Sequence, residues 1–204
     1  MKKFELTSET KINIFGKKLF RIKALISFAD VEAGETGGWV EKEGNVNQSG
    51  NAWVYGDAEV SDNAKVYGNA EVYGNAKVYG NAEVYGNAKV YGNAKVYGNA
   101  EVSDNAKAYG NAEVYGNAEV YGNAKVYGNA KVSGDADYTT IHGFGTQFRT
   151  TTFFRCKDKK VRVACGCFFG TIPEFREQVK NTRKGKIAEE YLMIADLMEK
   201  HFEK

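Results

Sequence analysis

Between Gly44 and Thr139 small apolar residues return every six positions. Ala and Val stand two apart with one residue, usually Lys or Glu, between them, and a Tyr-Gly-Asn triplet follows. Alternation of this kind puts Ala and Val on one side of an extended segment and the charged residue on the other, the period-2 signature of a short strand. Tyr-Gly-Asn then turns the chain. Glycine accepts positive φ without steric cost and Asp or Asn is the next best residue there, which accounts for Asp62 and Asp104 standing where most units have Gly. Sixteen such hexads run without an insertion.

A strand of three residues with only Ala and Val inside cannot bury enough surface alone, so the units must stack. The repeat resembles the left-handed parallel β-helix of hexapeptide-repeat proteins, in which three hexads make one triangular coil of eighteen residues. The resemblance implies a mainly β fold of about five coils, roughly 25 Å tall at ~4.8 Å per coil. Folding the sequence at eighteen residues aligns Tyr55, Tyr73, Tyr91, Tyr109 and Tyr127 on one corner. It also stacks Lys89, Lys107 and Lys125 on one face and Glu83, Glu101 and Glu119 on another, like charge over like charge, which is mildly unfavourable. The tyrosines read as packing that covers the corner and shields the strand edges. A platform for bases would need a basic groove, and residues 44–137 carry 7 basic against 11 acidic side chains. VSDNAKVYGNAEVYGNA at Val60 recurs as VSDNAKAYGNAEVYGNA at Val102, a shift of seven hexads and not of whole coils. Such a duplication moves every outward residue to another face, so no finely built site is expected there.

The chain divides into an N-terminal β cap at 1–43, the hexads at 44–139 and a C-terminal α/β module at 140–204. In the cap, KINIF and LFRIKAL predict a hairpin turning at Gly16, with Leu19, Arg21 and Lys23 opposing Phe20, Ile22 and Ala24 across the strand. Open coil edges need such a cover. Gly37, Gly38 and Trp39 read as a tight turn with an aromatic plug at the first coil. After the hexads, TQFRTTTFFRCKDKKVRVACGCFF predicts two strands around Asp158-Lys159, followed by two helices. Thr171 and Glu174 form a capping box with Pro173 between them, and Ile187, Tyr191, Ile194, Ala195, Met198 and Phe202 make one apolar stripe. The stretch LFRIKALISFADVEAGETGGWVEKEGNVNQSGNAWVYG is similar to hexapeptide-repeat proteins of bacteria and their phages, and the C-terminal module resembles theirs as well.

No apolar run is long enough for a signal peptide or a membrane span, so a cytoplasmic protein is expected. Cys156, Cys165 and Cys167 then read as reduced thiols. Three thiols with His142 would make a soft ligand set, yet the spacing lacks the two close pairs of a structural zinc site. With Asp158-Lys159 as a two-residue tip, Cys156 falls opposite Val161 and shares a buried face with Val163, Cys165 and Cys167, as small core residues do.

Charge changes the picture more. Residues 138–204 hold 13 basic and 8 acidic side chains, including Arg149, Arg155, Lys157, Lys159, Lys160, Arg162 and Arg183. The same hairpin register sets Arg155 opposite Arg162, and two guanidinium groups held together want an anion or an acidic partner. Arg149, Arg155, Lys157, Lys160 and Arg162 are therefore the candidate ligand-binding residues.

Many β-helix proteins resembling this one are trimeric acyltransferases with a histidine as general base. Here the hexads contain no histidine, and His142, just beyond them, is the one residue to which that role transfers. The leading expectation is a non-enzymatic scaffold without cofactor. It would form a homo-oligomer, a trimer by resemblance, and bind an anionic small molecule, nucleotide-like among them, or a protein partner, with no nucleic acid on the repeat and no membrane. The alternative is an acyltransferase using His142.

Overall fold

The computed structural model describes residues 1–203. The hexads form a parallel β-solenoid of about five turns. Fourteen two-residue strands, β4 to β17 in chain order, run from Trp53–Val54 to Lys131–Val132, each pairing in parallel with the strand eighteen residues away. Three sheets result. One contains the rungs at Glu59, Lys77, Lys95, Glu113 and Lys131, the second those at Trp53, Glu71, Lys89, Lys107 and Lys125, and the third those at Lys65, Glu83, Glu101 and Glu119.

Every Ala and Val of these hexads from Ala52 to Val132 is fully buried, so the interior is a column of small side chains without polar atoms. Each Val contributes about 1.5–3 kcal/mol by leaving water and each Ala about 0.8 kcal/mol, and the strand partners above and below satisfy the backbone. At the corners Gly68, Gly74, Gly80, Gly92, Gly98 and Gly110 adopt positive φ and lie directly under the glycine of the next coil, where a Cβ would meet its backbone nitrogen at 3.0–3.1 Å. Asp62 and Asp104 hold the same left-handed conformation, and each carboxylate accepts a hydrogen bond from the next coil, from Gly80 N at 3.1 Å and Gly122 N at 3.0 Å. Asparagine side chains at the following position donate to one another coil by coil, as in Asn81 to Asn99 at 3.0 Å.

The tyrosine ladder settles into parallel rings. Tyr73, Tyr91, Tyr109 and Tyr127 stack with centroids 4.6–4.7 Å apart and planes within 5°. Tyr91 and Tyr109 have both ring faces covered by their neighbours, so what remains of them toward solvent is rims and hydroxyls. The outer face of Tyr127 is covered by Phe169 at 4.5 Å. These rings are packing elements, as their regular spacing suggests.

Both solenoid ends are closed. At the start, β1 (Phe4–Ile12), β2 (Lys18–Ala24) and β3 (Thr36–Val40) form an antiparallel extension that joins the first sheet where Trp39 pairs with Glu59. The hairpin turns at Gly16 as expected. The alternation in its second strand is interrupted. Register breaks between Leu6 and Thr10 and between Arg21 and Lys23 leave Leu19, Ile22 and Ala24 buried together. Gly37 and Gly38 lie in β3 and make no turn. A Cβ on Gly37 would stand 2.6 Å from Ile22 and Trp53 side chains, and one on Gly38 2.5 Å from Val54, so these glycines permit close packing of sheet on core. The plug of the first coil is Trp53, fully buried and edge-on to Phe4 and Phe28; Trp39 instead carries Lys11 and Arg21 over its ring. Lys3 is buried beside this plug and donates to the open carbonyls of Gly50 (3.2 Å) and Ala52 (2.8 Å), which have no coil beneath them.

At the far end the predicted hairpin is part of a four-stranded antiparallel sheet, β18 (Tyr138–Phe144), β19 (Arg149–Arg155), β20 (Val161–Cys165) and β21 (Phe168–Thr171), in that spatial order. One face, with Tyr138, Phe154, Cys156 and Ala164, lies on the last coil; the other, with Phe153 and Val163, packs on α1 (Ile172–Thr182) and α2 (Gly185–Phe202). The Thr171–Glu174 capping box and the α2 stripe form as expected. No helix among the described residues is long and apolar enough to cross a membrane.

Candidate functional site

The β19–β20 turn is one residue longer than expected. Cys156 N donates to Lys160 O and Lys159 N to Cys156 O, with Lys159 at φ 64, so residues 157–159 form the tip. Arg155 therefore pairs with Val161 and Phe154 with Arg162. A one-residue shift exchanges faces, and the expected Arg155–Arg162 pair does not form. Arg155 points to the helix side, where its Nη2 donates to Phe202 O at 2.7 Å, its Nε lies 3.5 Å from Asp137 and its guanidinium sits over the Phe202 ring. Arg162 points the other way and bonds Asp158 at 2.7 Å, which holds the Asp158 carboxyl below the usual carboxylate range.

The same shift separates the thiols. Cys156 packs on the solenoid and burial pushes its pKa up to about 11; Cys165 lies on the helix side and Cys167 is exposed. Among the described residues no three His, Cys, Asp or Glu side chains gather where they could hold a metal. His142 is exposed on β18 with Nδ1 3.2 Å from Thr150 Oγ1.

The candidate basic residues are thus distributed over three depressions. Lys157 and Arg162 border a cavity of ≈ 420 Å³ at the junction with the last coil, but Lys157 bonds Glu113 at 3.1 Å and Arg162 bonds Asp158, so its charges are answered. Arg155 and Lys160 border a groove of ≈ 390 Å³ that also presents Glu199 and Glu203. Arg149 borders a third, smaller crevice of ≈ 100 Å³ between the far edge of the sheet and the two helices, together with Arg183, Gln147, Gln178, Thr182, Tyr191 and the Cys165-Gly166-Cys167 turn.

This crevice differs from the other two in its charge. Its lining contains two arginines and no carboxylate, and neither Arg149 nor Arg183 has an acidic partner among the described residues. Two glycines keep it open. A Cβ on Gly166 would stand 2.6 Å from Arg149 Nη1, and one on Gly145 would stand 2.5 Å from the Tyr191 hydroxyl. Tyr191 spans the floor and donates to Phe144 O at 3.1 Å; burial raises its pKa, and the Cys165 thiol beside it adds to the shift. Thr151 Oγ1 donates to Cys165 Sγ at 3.1 Å, which orients that thiol. Two arginines with neutral amide and hydroxyl neighbours on one crevice form a donor-rich surface suited to an anion.

Sequence reasoning found Arg149 and counted Arg183 in the basic surplus without bringing the two together. The signal that joins them is Gly145 and Gly166, each in a turn where the chain must leave room. No family model matches the chain, and no curated protein matches it.

Proposed function

We propose that this protein is a non-enzymatic β-solenoid scaffold whose C-terminal module binds a phosphate-bearing small molecule in the Arg149–Arg183 crevice. The observation that carries this reading is that one crevice is lined by two arginines and no carboxylate, with Gly145 and Gly166 at positive φ beside it. Each charge-assisted hydrogen bond from such a group contributes about 1.5–3 kcal/mol. Two such contacts sum to about 3–6 kcal/mol, the scale of a millimolar ligand, so tighter binding needs the neutral amide and hydroxyl donors of the lining as well. The solenoid, sealed at both ends, acts as a rigid spacer that presents this module. Self-association into a homo-oligomer, a trimer by the hexapeptide-repeat resemblance, belongs to the same reading. The resemblance to phage-borne proteins suggests a setting in which binding the ligand interferes with a host process such as defence signalling.

Native mass spectrometry of protein purified gently from its expression host tests the reading. The expected result is a phosphate-containing adduct that disappears in Arg149→Gln and Arg183→Gln but persists in Arg162→Gln. Retention of the adduct in both crevice variants would refute the site.

A further inference from the structure

The outward charges of the solenoid are sorted by face. On the sheet that bears Glu59, Lys77, Lys95, Glu113 and Lys131 the signs are mixed and mostly answered within the chain, with Lys77 on Glu59 at 2.6 Å and Lys157 on Glu113 at 3.1 Å. That is how a solvent face is expected to look. The other two faces differ. On one, Lys89 pairs with Lys107 and Lys107 with Lys125; on the next, Glu83 pairs with Glu101 and Glu101 with Glu119. Lys89 and Glu83 have partners in the preceding coil, Glu71 and Lys65, but Lys107, Lys125, Glu101 and Glu119 have no ion-pair partner among the described residues. Stacking like charges directly across paired strands opposes folding of the single chain.

We propose that the glutamate face of one copy docks against the lysine face of a second copy of this chain, with the two solenoids parallel. The argument is one of pitch. Each ladder repeats at the coil rise, which the stacked tyrosines mark at 4.6–5.1 Å, and successive charges are fixed to strands. A partner that answers both unpaired charges of a ladder must carry the opposite sign at the same spacing on an equally rigid face. The neighbouring face of this same chain does so with the same number of charges. The two ladders are also close in height, because Lys89, Lys107 and Lys125 each follow Glu83, Glu101 and Glu119 by six residues, one third of a coil. The contact joins two different faces, so it is heterologous and extends from copy to copy until a ring closes or a row forms.

This inference deepens the self-association part of the proposed function and does not depend on the anion crevice. The test is sedimentation velocity of the full chain at about 50 mM and about 500 mM NaCl, a range over which screening of exposed charges changes severalfold. The parent is expected to associate at low salt and to dissociate at high salt. Lys107→Glu with Lys125→Glu makes both faces acidic, and Glu101→Lys with Glu119→Lys makes both basic. Each double variant alone is expected to lose association by at least about tenfold in apparent Kd. An equimolar mixture of the two is expected to associate again, because the basic glutamate-face variant meets the acidic lysine-face variant. Circular dichroism checks that both variants fold, and pyrophosphate binding checks that the crevice is unaffected. A monomeric parent at low salt, association that ignores both charge changes, or a mixture that stays dissociated would each overturn the interface; loss of pyrophosphate binding in the parent would instead count against the crevice alone.

Discussion

Lys3 offers a quantitative test of how the solenoid is sealed. Its side chain is 2% exposed, donates to two carbonyls at the open edge of the first coil, and has no carboxylate within bonding distance; burial lowers its pKa from 10.5 to about 8. Between those two values the unfolded chain holds a proton on Lys3 that the folded chain has released, so stability rises with pH across this window. Integrating the linkage from pH 7 to 9.5 gives an increase of about 2 kcal/mol, and the neutral amine continues to donate to the carbonyls. Lys3→Met removes this term. The uncapped carbonyls of Gly50 and Ala52 then cost a constant amount that does not vary with pH. The assay is urea unfolding followed by tryptophan fluorescence. Trp39 and Trp53 are the two tryptophans of the chain and both sit at the N-terminal end, so the signal reports the region that Lys3 closes. The difference in stability between parent and Lys3→Met should shift in favour of the parent by about 2 kcal/mol from pH 7 to 9.5. A difference that stays flat to within about 0.5 kcal/mol would refute the claim that a charged lysine is held at this edge against its desolvation.

The tyrosine ladder carries the opposite sign. Burial raises the phenol pKa of Tyr55 and Tyr79 to about 12 and raises those of Tyr73, Tyr91 and Tyr97 as well. The folded state keeps protons that the unfolded state loses near pH 10, so this stability is complete below pH 10 and is lost as pH rises toward 12. Absorbance at about 295 nm should show late, steep phenolate formation coincident with unfolding, whereas a titration centred at pH 10 would contradict the stacked rings. At the corner, Asp104→Ala keeps the left-handed strain and removes the acceptor for Gly122 N, at a cost of about 1–2 kcal/mol in thermal unfolding, whereas Asp104→Gly also loses the acceptor but relieves the strain and should cost less than half as much; equal effects would count against the strain at this corner. Gly166→Ala should weaken pyrophosphate binding several-fold through its collision with Arg149, and unchanged affinity would show that the guanidinium is free to bind from elsewhere.

The solenoid was legible because one six-residue rule is repeated until alternatives fail: Ala and Val inward, charge outward, Gly or Asp at the left-handed corner. Coil register followed from the same rule, and Lys89 does stand beneath Lys107. The C-terminal hairpin was less legible. CKDKKV has no glycine to mark its turn, and Lys159 adopts positive φ without a compositional signal, so the expected two-residue tip became three and each strand's side chains share a face with the opposite set of its partner's. That single residue accounts for the separation of Arg155 from Arg162 and of Cys156 from Cys165. Gly37 and Gly38 were misread for a related reason, since glycine signals a turn and close packing alike, and only the presence of Trp53 and Val54 against them distinguishes the two. The crevice required two turns and two helices to be placed together, which no local pattern in the chain specifies.

The most direct test of the central claim is isothermal titration calorimetry of the full chain with pyrophosphate, repeated for Arg149→Gln, Arg183→Gln and Arg162→Gln. The expected result is saturable binding to the parent and to Arg162→Gln, weakened at least about tenfold in each crevice variant, as loss of one charge-assisted contact implies. Absence of binding to the parent, or equal binding in all three variants, would contradict it.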